Sequence, residues 1–230
     1  MSKNLQMMVA EPITTLTDYA IALEAFVLAG WLWHRKQHAS VQRSVRCWAG
    51  AFAATAIAAL LGGTCHGFVE SLGVKTLQIL WQAVAVSIAI ASFLIVLGTV
   101  ISTISRRWQW IWLVAISIKA IAHVALSFTQ PDFQWVIVDY GSALLLVGVL
   151  QGVMGWRGRS GHRFAPYSKK DFTALSIRWI RAGIIGSWVA IGILGMQWQI
   201  GWLQANDLYH LGQMIALIFF YRGALLLKDQ

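Results

Sequence analysis

The chain has 230 residues, of which 58% are hydrophobic and 13 are tryptophan, and its mean hydropathy is +0.63. These values exclude an ordinary water-soluble globular domain and point to an integral membrane protein. The formal charge of +9 does not point to nucleic acid, because the basic residues fall in short connectors between apolar stretches rather than in one patch or tail.

Met1 to Thr17 lacks the basic region, apolar run and small-residue cleavage site of a signal peptide, so the first apolar span is expected to be retained. Residues 1–15 read as a short N-terminal segment and 16–230 as a single transmembrane domain. Seven stretches are long and apolar enough to cross a bilayer: 16–34, 47–71, 74–102, 108–128, 133–155, 174–198 and 203–226. The fold expected is all-α, a polytopic bundle of seven transmembrane helices. Cys47 and Cys65 fall in the second stretch, about 27 Å apart along a helix, and cannot pair with each other.

Lysine and arginine collect in alternate connectors, at Arg35, Lys36, Arg43, Arg46, Arg106, Arg107, Arg157, Arg159, Arg163, Lys169, Lys170 and Lys228, with only Lys3 and Lys75 on the opposite side. The positive-inside rule then places the N-terminus outside and the C-terminus in the cytoplasm, an odd number of crossings that independently supports seven. A bacterial-type cell membrane is the expected location. Tryptophans 108, 110, 112, 135, 156, 198 and 202 sit near span ends as interfacial anchors. Gly63 with Gly67, and Ala182 with Gly186, have the four-residue spacing that lets helices approach closely. Pro12, Pro131 and Pro166 all fall outside the expected spans, which counts against the broken helices of a transporter.

Given that topology, the polar residues inside the spans collect at one depth. Asp18 opens the first span with Glu24 somewhat deeper, His66 is near the end of the second, and Gln78 and Gln82 open the third. His123 is late in the fourth, Asp139 early in the fifth, and Asn206, Asp207, His210 and Gln213 early in the seventh. His34, His38 and His162 belong to the basic connectors. Unpaired polar groups are costly in hydrocarbon, so pairing around one cavity in the outer third of the bundle is the economical arrangement. His66, His123 and His210 would leave an open position on a zinc ion, with Asn206 a lesser candidate ligand and Asp207 or Asp139 as general base. Each also has a plainer reading: His123 as a bond between helices, Asp139 with Lys119 as an ion pair joining the fourth and fifth helices, and Asp18, Asn206 and Asp207 as helix caps. A retinal Schiff base is disfavoured, since the seventh helix has no lysine before Lys228.

Gly62-Gly63-Thr64-Cys65-His66-Gly67 and Asn206-Asp207-Leu208-Tyr209-His210 resemble motifs of the CREST superfamily of seven-helix membrane proteins, which includes alkaline ceramidases and progestin/adipoQ receptors. The resemblance implies a zinc site with His66 as the helix 2 ligand and His210 as the second histidine of a helix 7 pair, and hydrolysis of a sphingolipid-like amide by zinc-bound water. It departs from the pattern at Asn206, where the first helix 7 histidine belongs, at Gly62, where a serine belongs, and around Trp81-Gln82, where no aspartate stands. Three functions follow as expectations. The first is a CREST-like, zinc-binding membrane protein acting on a lipid amide. The second is a tetrapyrrole-binding or electron-transfer subunit carrying haem or chlorophyll. The third is a noncatalytic receptor, transporter or assembly factor whose polar layer binds a small molecule or relays protons. Membrane lipids are the partners expected in every case.

Overall fold

The computed structural model describes residues 9–34, 42–130, 132–160 and 167–230, with side chains for all of these except 154–160 and 167–172. The described residues form seven helices: α1 (Pro12–His34), α2 (Arg43–Phe68), α3 (Val74–Thr103), α4 (Arg106–Thr129), α5 (Phe133–Ser160), α6 (Tyr167–Gly195) and α7 (Ala205–Ala224). Six of them, α1 to α6, are long and apolar enough to cross a membrane, in α5 over Phe133–Val153 and in α6 over Thr173–Gly195. The chain is a membrane protein built as a bundle of such helices.

Helix α1 starts at Pro12, earlier than the apolar pattern implies, and the proline itself explains why. At the first helical position its missing N–H is one that no carbonyl could have received, and its fixed φ suits the helix. Pro12 therefore lies within the first helix, and Asp18 belongs to the second turn rather than to the cap. Pro131 and Pro166 lie outside the described residues.

The packing is a ring with one helix left out. In order around the ring, α1 touches α2, α2 touches α3, α3 touches α5, α5 touches α6, α6 touches α7, and α7 returns to α1. Helix α4 lies outside, against α3 and α5. Its composition fits that place: only Ile116, His123 and Ser127 are buried, while Trp110, Ile118, Ile121 and Phe128 are exposed apolar side chains of the kind that face lipid.

Small residues set the closest approaches. A Cβ on Gly63 would stand 2.8 Å from the Tyr19 ring and 2.9 Å from Asp18 Cβ, and one on Gly67 would stand 3.0 Å from Thr15, so α1 lies directly on the glycine face of α2. Gly223 gives α7 the same freedom against Ile180 of α6. The apolar core fills the other half of the bundle, where Trp48, buried against Phe220 at a ring separation of 5.6 Å, packs with Val96, Val100 and Leu144.

The chain's last residues are sewn into this half. The Asp229 carboxylate accepts hydrogen bonds from Arg43 N at 2.8 Å and from Ser44 N and Oγ at 3.1 and 2.6 Å, while Asp229 N donates to Gln42 Oε1 at 2.7 Å. Gln42 makes no side-chain cap of its own. Asp229 thus caps α2 from the far end of the sequence, with its charge at the positive end of the helix dipole.

Candidate functional site

The ring encloses a lumen with about 140 Å³ of room for the centres of water-sized molecules. Each of its six helices contributes to the wall and α4 contributes nothing. From Trp81 to Ala91 on α3 the lining extends over ten residues, about 15 Å at the helical rise. The end where α1, α3 and α7 begin is polar, with Asp18, His66, Tyr209 and His210. The deeper wall is apolar, with Ala58, Ala59, Ile88, Ala91 and Leu217. His66 packs edge-on to Trp81 at 5.4 Å, and Trp81 edge-on to Phe133 at 6.0 Å, an aromatic rim running from α2 through α3 to α5.

Asp18 and His210 form the polar centre. Thr17 Oγ1 lies 2.9 Å from Thr14 O and, on its other side, 2.9 Å from His210 Nδ1. The other ring nitrogen, Nε2, lies 3.4 Å from Asp18 Oδ1. Two lone pairs would repel across that gap, so one proton lies between carboxyl and imidazole, bound to one or the other. In either state Asp18 Oδ2, which is buried and has no partner, is an acceptor. Gly62 helps make room, since a Cβ there would meet both carboxyl oxygens at 3.6 Å.

A second polar group lies deeper. Gln213 Oε1 accepts from Ser187 Oγ at 3.0 Å and from Tyr140 OH at 3.4 Å, and these two hydroxyls are 3.2 Å apart. The carbonyl is thereby occupied, and Gln213 Nε2 is buried beside Tyr209 with no partner at full hydrogen-bond geometry. His66 stands nearer the mouth, its Nδ1 paired with Glu11 Oε2 at 2.9 Å.

The other residues singled out in sequence are placed elsewhere. Asp207 is 1% exposed and off the lumen: Oδ1 accepts from Thr14 Oγ1 at 2.8 Å and Oδ2 from Gln204 N at 2.8 Å, closing a capping box and tying α7 to α1. Asn206 is half-buried and likewise outside the lumen lining. Asp139 pairs with Lys119, whose Nζ also donates to Asp139 O at 3.0 Å, so the ion pair joins α4 to α5. His123, on α4, lies within electrostatic reach of that pair and bonds toward Ala85 O of α3. The histidines of α2 and α7 therefore share the lumen and that of α4 does not. Among the described residues no group of three or more His, Cys, Asp or Glu side chains is arranged to hold a metal, so the donors do not form a zinc set of the usual kind. Glu24 has both oxygens buried and unpartnered, but is not part of the lumen lining.

Sequence reasoning missed Thr14, Thr17, Tyr140, Ser187 and Asp229. The first two carry a local signal, since Thr14, Thr17 and Asp18 recur at helical spacing and form a polar stripe on α1. The others depend on which helices become neighbours.

Neither curated proteins nor solved structures gave a match to the chain. One family model covers residues 13–229, which takes in all seven helices but for Pro12 and all of the lumen lining. The chain belongs to that family, a family of unknown function (DUF6962).

Proposed function

We propose that this is a membrane-embedded binding protein whose ring lumen holds one small amphipathic molecule. The observation carrying the reading is the graded lumen: a polar mouth around Asp18 and His210, an apolar floor, and walls supplied by every helix of the ring. The lining runs over roughly 15 Å of depth, enough for one extended apolar chain. In the same reading α7 is a seventh crossing, and the mouth opens to the outer face. Arg46, Arg106, Arg107 and Arg222 lie toward the opposite end of their helices from Lys75, the distribution expected of a cytoplasmic and an external side.

The test is to fill the floor. In Ala59→Phe the added ring projects from a lumen-lining position that is 9% exposed. Solvent extracts of purified wild type and of folded Ala59→Phe are compared by mass spectrometry. A small molecule retained by wild type and lost from the variant supports the reading, and identical extracts refute it. Reporters at both termini that land on one side of the membrane refute the seven crossings.

A second reading, CREST-like zinc hydrolysis, is favoured by one observation: His66 and His210, which carry the resemblance, both line the lumen. Among the described residues no third ligand is assembled beside them. Metal content of the purified protein, compared with that of His66→Ala, decides it.

A further inference from the structure

The lumen's two unsatisfied groups define the head of the molecule it takes. Asp18 is 6% exposed and Gln213 8% exposed; both line the lumen, and each has one buried polar atom without a partner at full hydrogen-bond geometry. They differ in kind. Asp18 Oδ2 accepts a hydrogen bond whichever of Asp18 and His210 holds their shared proton. Gln213 Nε2 donates, because its carbonyl is occupied by Ser187 and Tyr140. A buried donor or acceptor left unpaired is unfavourable by about 1–3 kcal/mol, so a ligand that satisfies both is selected over one that satisfies neither or only one.

We infer, building on the binding role above, that the ligand is a neutral amphiphile with a head group that both donates and accepts, a hydroxyl or a primary amide, attached to a slender apolar chain. The hydrogen-bond pattern disfavours the charged alternatives. An ammonium head has no acceptor for Gln213 Nε2, and a carboxylate head has no donor for Asp18 Oδ2. A bare charge in a low-dielectric site is also strongly unfavourable. His210 is 3.4 Å from Asp18, and Gln213 follows three residues later on the same helix, about 4.5 Å along its axis. Below the head, Ile88, Ala91 and Leu217 line the wall for the chain.

The experiment uses the full-length protein in lipid nanodiscs and three photoreactive probes with the same diazirine-bearing alkyl chain, ending in a hydroxyl, a carboxylate or an ammonium. Labelled peptides are mapped by mass spectrometry. The hydroxyl probe is expected to label the α3 and α5 lumen segments saturably, at least tenfold more than either charged probe, with competition by unlabelled 1-octanol. Gln213→Leu is expected to reduce that labelling about tenfold. The variant keeps its fold because Tyr140 and Ser187 remain hydrogen bonded to each other, and its unfolding temperature verifies this. Asp18→Leu gives the same test from the acceptor side. Equal or stronger lumen labelling by a charged probe overturns the neutral head while leaving lumen binding intact, as does undiminished labelling of folded Gln213→Leu. Absence of saturable lumen labelling by all three probes overturns lumen binding itself.

Discussion

Replacing Asp207 separates a structural tie from a chemical role. In Asp207→Ala, Gln204 N loses its cap and the buried Thr14 hydroxyl loses a charged acceptor. Loss of a helix cap costs about 1 kcal/mol. Loss of a hydrogen bond to a charged group costs about 1.5–3 kcal/mol. Asp207 is 1% exposed, so solvent does little to soften either loss. Together they amount to about 3 kcal/mol, which for a chain of 230 residues lowers the unfolding temperature by roughly 6–12 °C. Cys65, 1% exposed and free, provides the assay: a thiol-reactive fluorophore reports its exposure on heating in a Cys47→Ser background. Asp207→Asn keeps an acceptor for Thr14 and loses only the cap, about 1 kcal/mol. Thr14→Val and Asp207→Ala share one bond, so their effects fall short of additive in the double variant. Full additivity, or an Asp207→Ala protein as stable as wild type, would refute the tie between α1 and α7.

Three further outcomes follow from the packing. Gly63→Ala sets a methyl group 2.8 Å from Tyr19 and should cost about 1–3 kcal/mol, while Gly73→Ala, with nothing within 4 Å, should leave the unfolding temperature unchanged. Lys119→Met strands the buried Asp139 carboxylate and should destabilise by about 3–5 kcal/mol, most of it recovered in Lys119→Met/Asp139→Leu; a double variant no better than the single would contradict an ion pair. Asp229→Ala should speed hydrogen exchange at the Arg43 and Ser44 amides about fivefold, the equivalent of one lost cap, with no change at the start of α7.

The helices were legible because bilayer length and apolar composition act on local sequence. Each expected span overlaps a helix, and the largest shift, at the start of α6, falls where the basic residues Lys169 and Lys170 obscure the pattern. Depth was legible too: His66, Asp18 and His210 stand near the same end of the bundle. What sequence could not supply was direction around the helix axis and order around the ring. His123 lies in the expected part of its helix yet belongs to α4, the helix the ring excludes, so depth alone brought together a histidine that packing keeps apart. Asp207 carries the two readings a carboxylate at a helix start always has, and only the position of Thr14, 193 residues away, selects the structural one. Asp229 was illegible for the same reason, since its partners lie at the other end of the chain.

Closure of the ring between α1 and α7 also has a consequence for biosynthesis. The first helix leaves the ribosome with Thr14, Thr17 and Asp18 lacking the partners that only the last helix brings. Until α7 packs between α6 and α1 there is no enclosed compartment, only an open trough with an unpaired polar lip. In the binding role proposed above, the ligand enters either a nearly complete trough before the final helix seals it or a finished vessel through its mouth. Pulse-chase loading of truncated and complete chains would tell these two histories apart.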